Sequence, residues 1–449
     1  MDYLMRKFSV LMVIVLAFML TFSAAAQDPV TIEFWHAMGG YNGEIVNTIV
    51  DRFNESHDDI QVEAQNTGSY NDTLTKTQAA VQSGSAPHIV QIYEIGTQVM
   101  LDSEIIIPVE ELGREVAQDN SFDWGKFLVP VSNYYNVNGQ LNSMPFNSST
   151  PILYYNKDAF EEAGLDPNDP PQTFAELKEY ARKLTIRNED GDVERYGFTL
   201  GIVGWFVEQM TANQDALLVN NENGRSGGRA TESYLDREPV VRFIELWNEM
   251  VDEGIMLNPG RGWDGAKQAF LSGRSAMMIE STAQVTNFTN NAENDGYELG
   301  TAFLPRPEGV DRGGVIIGGA SLWAVRDHPE EELKAAWEFL SFLSEMEQQV
   351  YWFENTGYFP VTKAAVEHEM NGQFFAQNPN HLTAFLQLLL SKRSASTQGA
   401  LIGTFPEVRQ IVEEAVEKTL QGDMTPQEAM DEAASRVDRS LEQYNSLYE

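Results

Sequence analysis

The chain has 449 residues, a length that predicts two or three domains or two large lobes. Asp and Glu total 67 against 30 Lys and Arg, and the formal charge of −37 disfavours nucleic acid and anionic membranes as partners. The absence of cysteine excludes a disulfide framework, thiolate zinc sites, iron–sulfur clusters and a cysteine nucleophile.

Residues 1–26 predict a signal peptide. Arg6 and Lys7 supply the positive start, and the apolar stretch 8–20 is short for a membrane span. Small residues then place the cleavage near Ala26, although a retained N-terminal anchor is the alternative. No cysteine follows that could carry a lipid, so we expect an exported, periplasmic protein and not a lipoprotein.

The first half of the mature chain alternates short β-rich segments with helical patterns. Strands are predicted over 30–35, 60–62, 88–93 and 151–156. Between the first two, Ile45, Ile49 and Phe53 recur every four residues, which is helical spacing, and 76–82 also has a helical composition. This order predicts α/β units with a parallel sheet.

Three later segments carry local signals. Residues 330–351 predict one long amphipathic helix, and 220–228 a polar surface loop. Thr425, Pro426 and Glu428 predict a capping box at the start of the last helix. The acidic cluster 188–192 lacks the full spacing of a calcium loop, so a hairpin turn is the favoured interpretation.

The sequence contains no recognisable catalytic or metal-binding motif. Phosphate-loop, zinc-protease and nucleophile-elbow patterns are absent, and the six histidines share no ligand spacing. Carboxylates are so numerous that no pair can be singled out for glycoside hydrolysis. We therefore assign no catalytic residue, no metal ligand and no cofactor. Polar and aromatic residues on loop-like segments remain as candidates for ligand contacts.

Several ordered motifs carry a resemblance to a known family. They are FWH at 34–36, QIYEIGT at 91–97, PFNSSTP at 145–151, LYYNKDAF at 153–160, IIGGASLW at 316–323, TGY at 356–358 and PEVR at 406–409. Over essentially the whole mature chain, the sequence resembles family 1 of the extracellular solute-binding proteins of bacterial ABC importers, the maltose-binding-protein-like class. Within that family it resembles the periplasmic receptors for sn-glycerol-3-phosphate.

The resemblance implies an α/β, two-lobed periplasmic-binding-protein fold of type II, with several chain crossings at the hinge and a ligand cleft between the lobes. We expect the first lobe to comprise 27–145 plus about 300–345. The second lobe would comprise 146–299 plus about 346–449, so that Ser149 would belong to it. The resemblance also implies a monomer without catalytic activity that delivers its ligand to an ABC permease and its ATPase.

The resemblance also implies a set of ligand contacts. The matching positions are Tyr70, Glu94, Ser149, Ser281, Gly319, Tyr358 and Arg409, with Trp205 as an aromatic wall. Their chemistry suits a glycerol phosphate, because Arg409 offers a fork of donors to a phosphate and Glu94 accepts hydrogen bonds from hydroxyls. We expect a mostly neutral site with one fixed positive charge. The alternatives to ligand contact are an ion pair at the start of a helix for Arg409 and core packing for Trp205.

One position departs from the family pattern, which has a tryptophan where this chain has Ile202. We expect the smaller residue to enlarge the pocket and to favour a glycerophosphodiester such as glycerophosphocholine, with its quaternary ammonium over Trp205. Two alternatives stay open. One is an oligosaccharide-binding receptor of the same fold, and the other is an exported hydrolase acting on sugars or phosphoesters.

Overall fold

The computed structural model describes residues 28–448, so the predicted signal peptide lies outside the described residues. The strands are β1 Val30–His36, β2 Ile60–Asn66, β3 Ile89–Tyr93, β4 Ile106–Ile107, β5 Asn136–Val137, β6 Gln140–Leu141, β7 Met144–Ser149, β8 Pro151–Asn156, β9 Ile186–Arg187, β10 Val193–Thr199, β11 Met256–Leu257, β12 Ser275–Ser281, β13 Leu299–Ala302 and β14 Gly318–Val325. The four strands predicted from the sequence are confirmed as β1, β2, β3 and β8.

Helices cover both sheets. They are α1 Gly40–Ser56, α2 Tyr70–Ser83, α3 Thr97–Asp102, α4 Val109–Glu111, α5 Val129–Tyr135, α6 Lys157–Glu162, α7 Phe174–Leu184, α8 Gly204–Asn213, α9 Asn220–Gly224, α10 Glu238–Asp252, α11 Asp264–Leu271, α12 Val285–Asp295, α13 Glu330–Leu343, α14 Met346–Thr356, α15 Lys363–Asn371, α16 Phe374–Gln377, α17 Pro379–Leu389, α18 Ala395–Gln398, α19 Phe405–Leu420 and α20 Pro426–Asn445. None of the described helices is both long and apolar enough for a membrane crossing.

The first sheet has the order β2-β1-β3-β14-β4, and β7 also pairs with β14. Strands β1, β2 and β3 are parallel, whereas β14 runs antiparallel to β3, β4 and β7. All five residues of β3 are buried, as expected for a strand that is covered on both faces. The sheet with its helices forms the first lobe.

The second sheet has the order β11-β10-β12-β8-β13, with β9 paired to β10. Strands β10, β11 and β12 are parallel, and β8 lies antiparallel between β12 and β13. Helices α8, α10, α19 and α20 pack on one another beside this sheet. We call this sheet and its helices the second lobe, and the two lobes give the predicted mixed α/β architecture.

The chain passes between the sheets at points that differ from the expected boundaries. The boundary expected at 145/146 falls within β7, whose Ser149 lies opposite Gly318 of β14 in the first sheet. Ser149 therefore belongs to the first lobe, and the crossing is at Thr150. The second crossing lies between β13 and β14, because β13 pairs only with β8 among the described strands.

The helix predicted over 330–351 is two helices. Helix α13 ends at Leu343, and α14 begins at Met346. The hydroxyl of Ser344 donates to the Ser341 carbonyl at 2.6 Å, and Glu345 is extended, with φ −68° and ψ 150°. A serine that bonds back to the backbone competes with helix continuation, which explains the break.

The predicted loop 220–228 is also more ordered than a surface loop. Three consecutive residues of α9 have left-handed backbone angles, and the side chain of Asn223 is buried. The Asn223 side-chain oxygen accepts the backbone N–H groups of Leu218 and Val219 at 2.8 and 3.2 Å. Asparagine tolerates the left-handed region and bonds its own backbone neighbourhood, so it stabilises this turn.

The capping box of the last helix is confirmed. The Thr425 hydroxyl accepts the Glu428 N–H at 3.3 Å, and the Glu428 carboxylate accepts the Thr425 N–H at 3.1 Å. The replacement Thr425→Ala removes one acceptor for an otherwise unpaired helix N–H group. We expect a loss of about 1 kcal/mol in the free energy of unfolding, measured by urea titration. The control Thr48→Ala, inside α1, should change stability by only a few tenths of a kcal/mol; equal losses in both variants would contradict the role of the cap.

Candidate ligand-binding cleft

A cleft of about 360 Å³ lies between the two lobes. All eight residues that the resemblance placed against a ligand line it, namely Tyr70, Glu94, Ser149, Trp205, Ser281, Gly319, Tyr358 and Arg409. The structure therefore brings together side chains from widely separated parts of the chain. Their contact with a ligand stays a prediction.

Strand ends position the polar lining. Glu94 follows the end of β3, Ser149 ends β7 and Ser281 ends β12. In open α/β sheets, the carboxyl ends of the strands border the crevice where ligands bind. Tyr70 enters from the first turn of α2, whose preceding residue Ser69 accepts the Asp72 N–H in a capping box. The cleft lining is thus held by regular elements and not by long loops.

Gly319 occupies a position that a side chain could not. Its φ is +96°, and an added Cβ would lie 1.9 Å from the backbone oxygen of Asn147. Its neighbour Gly318 is similarly restricted, since a Cβ there would lie 2.5 Å from Cζ2 of Trp205. Glycine at both positions lets β14 of the first lobe approach β7 and the tryptophan of the second lobe closely.

Arg409 is shared by two carboxylates from different lobes. Its Nε donates to Glu208 Oε1 at 2.6 Å, and its Nη2 donates to Glu208 Oε2 at 3.0 Å. Nη2 also pairs with Glu94, across the cleft. Arg409 and Glu208 lie on α19 and α8 of the second lobe, whereas Glu94 lies in the first lobe. The ion-pair alternative for Arg409 is therefore present at a residue that also lines the cleft.

Burial and charge pairing act in opposite directions on the protonation of this cluster. Burial alone would lower the pKa of Arg409, but the Glu208 and Glu94 carboxylates hold that pKa well above its usual range. Burial raises the pKa of Glu208, and the neighbouring Arg409 charge opposes this rise. With both carboxylates ionised, the cluster has a formal charge of −1. The one fixed positive charge that was expected in a mostly neutral site is therefore paired with two carboxylates.

Sequence reasoning missed Glu208. The available signal was a charged residue within the apolar run that begins α8, where every residue from 204 to 213 is buried. A fully buried carboxylate is rarely found without a partner. That partner, Arg409, is distant in the chain, so the pairing could not be found from local sequence spacing.

Two tyrosines contribute neutral hydroxyl groups. The Asn147 amide donates to the Tyr70 hydroxyl at 2.7 Å, and Gln91 donates to the Asn147 side-chain oxygen at 2.8 Å. Burial raises the pKa of Tyr70 and of Tyr358. Tyr70 stacks on Tyr93 with ring centroids 5.6 Å apart. The two phenols are therefore protonated near neutral pH and can donate hydrogen bonds to an anion.

Aromatic side chains form one wall. The rings of Trp205 and Trp263 lie 5.8 Å apart, and both residues line the cleft. Ile202 does not line it; its side chain is buried, and its backbone pairs with the segment before Trp263. Trp263, which sequence reasoning missed, supplies a second aromatic group. The enlargement of the pocket expected from Ile202 is therefore not a direct effect of that side chain.

Acidic residues outnumber basic ones in the cleft. Glu94, Glu280 and Glu413 line it together with Lys267 and Arg409. Glu280 is buried, and burial raises its pKa to about 8, against the smaller opposing effect of the Ser281 N–H. With Glu280 neutral, the lining charges balance; with it ionised, they sum to −1. The cleft thus offers little net attraction to a dianion.

Two histidines that are distant in sequence come together outside the cleft. Ligand atoms of His88, His328 and Glu332 lie within 4.8 Å of one another. However, His88 Nδ1 accepts the Glu33 N–H at 2.9 Å, which places the His88 proton on Nε2, 2.8 Å from Glu332. The lone pair that a metal would require is therefore occupied, and the group fits a hydrogen-bonded cluster better than a metal site.

Comparisons with known proteins agree with the fold. A family model described as bacterial extracellular solute-binding protein matches residues 48–383, and the chain belongs to that family. The sn-glycerol-3-phosphate-binding periplasmic protein UgpB of Pectobacterium atrosepticum is 35% identical over 428 residues, 94% of each chain. The protein of the same name from Escherichia coli is also 35% identical, over 434 residues and 96% of each chain.

Solved structures show the same architecture. UgpB from Mycobacterium tuberculosis in complex with glycerophosphocholine has a TM-score of 0.76 and 20% identity, covering 93% of this chain and 99% of that one. The sugar-binding protein MalE from Xanthomonas citri has a TM-score of 0.73, 20% identity and the same coverage. The fold is therefore that of the maltose-binding-protein-like class, as predicted.

The buried Glu280 predicts a pH-dependent stability. A pKa of about 8 in the folded protein exceeds the roughly 4.3 of an unfolded glutamate, so the folded state binds the proton more tightly. Its contribution to stability is complete below about pH 4 and is lost as the pH rises to about 8. Glu280→Gln removes this titration. We expect the melting temperature of the variant, relative to wild type, to be higher at about pH 8.5 than at about pH 5.

Differential scanning fluorimetry at both pH values measures this difference. The matched control is Glu293→Gln, because Glu293 is an exposed residue of α12. A pH-independent difference for Glu280→Gln, like that expected of the control, would show that the Glu280 carboxyl is ionised throughout the range.

Proposed function

We propose that the chain is the periplasmic receptor of an ABC importer. It binds sn-glycerol-3-phosphate or a glycerophosphodiester such as glycerophosphocholine and delivers it unchanged to the membrane permease and its ATPase. The observation that carries the proposal is the single cleft lined by all eight predicted contact residues. The full-length similarity to proteins named for sn-glycerol-3-phosphate binding supports the same ligand class.

The polar part of the cleft lining suits a phosphate group. Arg409 contributes a guanidinium, and Ser149, Ser281 and Tyr358 contribute hydroxyl donors. Among the described residues, the hydrogen bonds of Arg409 come from Nε and Nη2, so Nη1 is the nitrogen left for a ligand oxygen. A phosphate here would meet one charged and several neutral donors.

The aromatic part of the lining suits a cation or a carbon skeleton. Trp205 and Trp263 lie next to each other in the cleft wall, and Glu413, which like Arg409 belongs to α19, also lines the cleft. A quaternary ammonium is attracted to aromatic faces and to carboxylates. The negative lining groups equal the positive ones when Glu280 is neutral and exceed them by one when it is ionised. A zwitterionic diester therefore matches the charge of the cleft better than a dianionic phosphate does.

Ligand binding would close the cleft by a hinge motion. The lining residues come from both lobes, so a ligand contacts both only when they are close together. The Glu94–Arg409 pair already joins the lobes at the cleft. Away from the lining residues, Asp102 of α3 accepts two N–H groups of Arg229 at 2.8 and 2.7 Å and the hydroxyl of Tyr444 at 2.9 Å.

An oligosaccharide receptor is the second candidate. The pair Trp205 and Trp263 could stack on sugar rings, and the carboxylates could accept hydrogen bonds from hydroxyls. The neutralisation of Arg409 by two carboxylates favours this candidate, since it leaves no uncompensated positive charge for a phosphate. The two candidates therefore differ in which ligand binds and not in the fold that binds it.

A ligand panel separates these functions. We expect glycerophosphocholine and sn-glycerol-3-phosphate to raise the melting temperature, and maltose and glycerol to leave it unchanged. At about 100 times the dissociation constant, a ligand adds about 2.7 kcal/mol of stability. Stabilisation by maltose alone would support the oligosaccharide receptor. Release of glycerol or choline from glycerophosphocholine during incubation would instead indicate a hydrolase.

The contribution of Arg409 is tested without leaving its carboxylate partners unpaired. Arg409→Lys keeps the positive charge but removes the planar guanidinium. In wild type, that group bonds Glu208 through Nε and Nη2 and has Nη1 left for the ligand. We expect calorimetry to show glycerophosphocholine binding at least tenfold more weakly. The control Arg439→Lys, an exposed residue of α20 in the same lobe, should bind as wild type does. Unchanged affinity of Arg409→Lys would place the phosphate elsewhere.

A further inference from the structure

Glu208 is a buried carboxylate next to the cleft that the proposed ligand contacts do not use. Its side chain is 8% exposed, and both of its oxygens accept hydrogen bonds from Arg409. It does not line the cleft itself, so it affects a ligand through the orientation of Arg409 and through its own charge, without contacting the ligand. Its two bonds occupy the Nε edge of the guanidinium and fix the plane of that group.

The backbone around Glu208 makes this geometry rigid. Gly204, at the start of α8, packs so closely on α19 that an added Cβ would lie 3.0–3.1 Å from Arg409 atoms. The Gly204 N–H also donates to Glu413, one turn after Arg409, at 3.1 Å. Helices α8 and α19 are thus in direct contact at the level of the cleft. Glu208, one turn into α8, is held in register with Arg409.

The charge of Glu208 matters as well as its position. Arg409 alone would attract any phosphate, but Glu208 and Glu94 together exceed its charge by one unit when both are ionised. A phosphodiester has one negative charge, whereas a phosphomonoester acquires a second near pH 6. Each additional ligand charge is repelled by both carboxylates, and burial leaves this repulsion poorly screened.

We propose that Glu208 is a positioning residue that sets the ligand's charge class: it orients Arg409 for a phosphate and offsets its charge, so that monoanionic phosphodiesters bind in preference to dianionic phosphomonoesters. This inference rests on the proposed function. It assigns the proposed preference for a glycerophosphodiester to Glu208 and not to Ile202, which does not line the cleft.

Other titratable groups face Glu208 and must be considered. They are Arg409 and Glu413 of α19, Glu94 of the first lobe and Tyr134 of α5, and burial holds the pKa of Tyr134 well above neutrality. Glu280 also lines the cleft, and burial raises its pKa to about 8. All of these side chains are present in a Glu208 variant as in wild type, so any change in the comparison with wild type originates from the replacement of Glu208.

The test uses calorimetric dissociation constants of glycerophosphocholine and sn-glycerol-3-phosphate at about pH 5 and about pH 8. For wild type, we expect the ratio of the glycerol-3-phosphate constant to the diester constant to rise about tenfold across this interval. Glu208→Gln keeps the shape of the side chain but removes the charge. We expect it to reduce that rise to threefold or less.

Two further variants separate charge from geometry. Glu208→Asp keeps the charge but shortens the reach, so it should weaken both ligands while the rise with pH persists. Glu414→Gln, on the surface of α19, should behave as wild type does. A ratio in Glu208→Gln that follows wild type, or an equal loss for both ligands, would overturn the inference and leave the proposed function intact. Failure of wild type to bind either ligand would overturn the proposed function and the inference together.

Discussion

The structure depends most on one buried guanidinium held between two lobes. Removing a charge from water costs several kcal/mol, and Arg409 regains this only because Glu208 and Glu94 accept its hydrogen bonds. Glu208 belongs to the same lobe as Arg409 and fixes its orientation, whereas Glu94 comes from the opposite lobe. The same cluster therefore defines the local geometry of the cleft and joins its two sides. Any charged group that enters the cleft meets this existing balance of charges.

The architecture brings the cluster together through strand ends and close backbone contacts. Glu94 lies directly after β3, and the lining continues along the ends of β7, β12 and β14. The near contacts at Gly319 and Gly204 allow the strands and the helices α8 and α19 to approach without side chains between them. These are backbone constraints, so the positions of the polar groups depend on the fold of both lobes and not on local flexibility.

Much of the fold could be predicted because its signals are local. The first strands and the capping box at Thr425 follow from residue pattern alone. The break between α13 and α14 was missed, since amphipathic spacing continues through Ser344 and only its hydroxyl bond ends the helix. Glu208 and Trp263 were missed for a different reason: the role of each depends on a contact with a residue far away in the chain, Arg409 for Glu208 and Trp205 for Trp263. The resemblance supplied the cleft residues, but it could not show how their charges balance.

The large negative charge of the chain bears on the approach of a ligand. A net charge of −37 repels an anionic ligand. Arg409 weakens this repulsion locally, but its two carboxylate partners prevent the cleft from becoming positive. The most direct measurement is a crystal structure of the complex with glycerophosphocholine. We predict a phosphate oxygen within hydrogen-bonding distance of Arg409 Nη1, with Glu208 still bonded through both oxygens and the ammonium near Trp205 and Trp263. A ligand bound away from Arg409, or Glu208 turned away from it, would contradict this account.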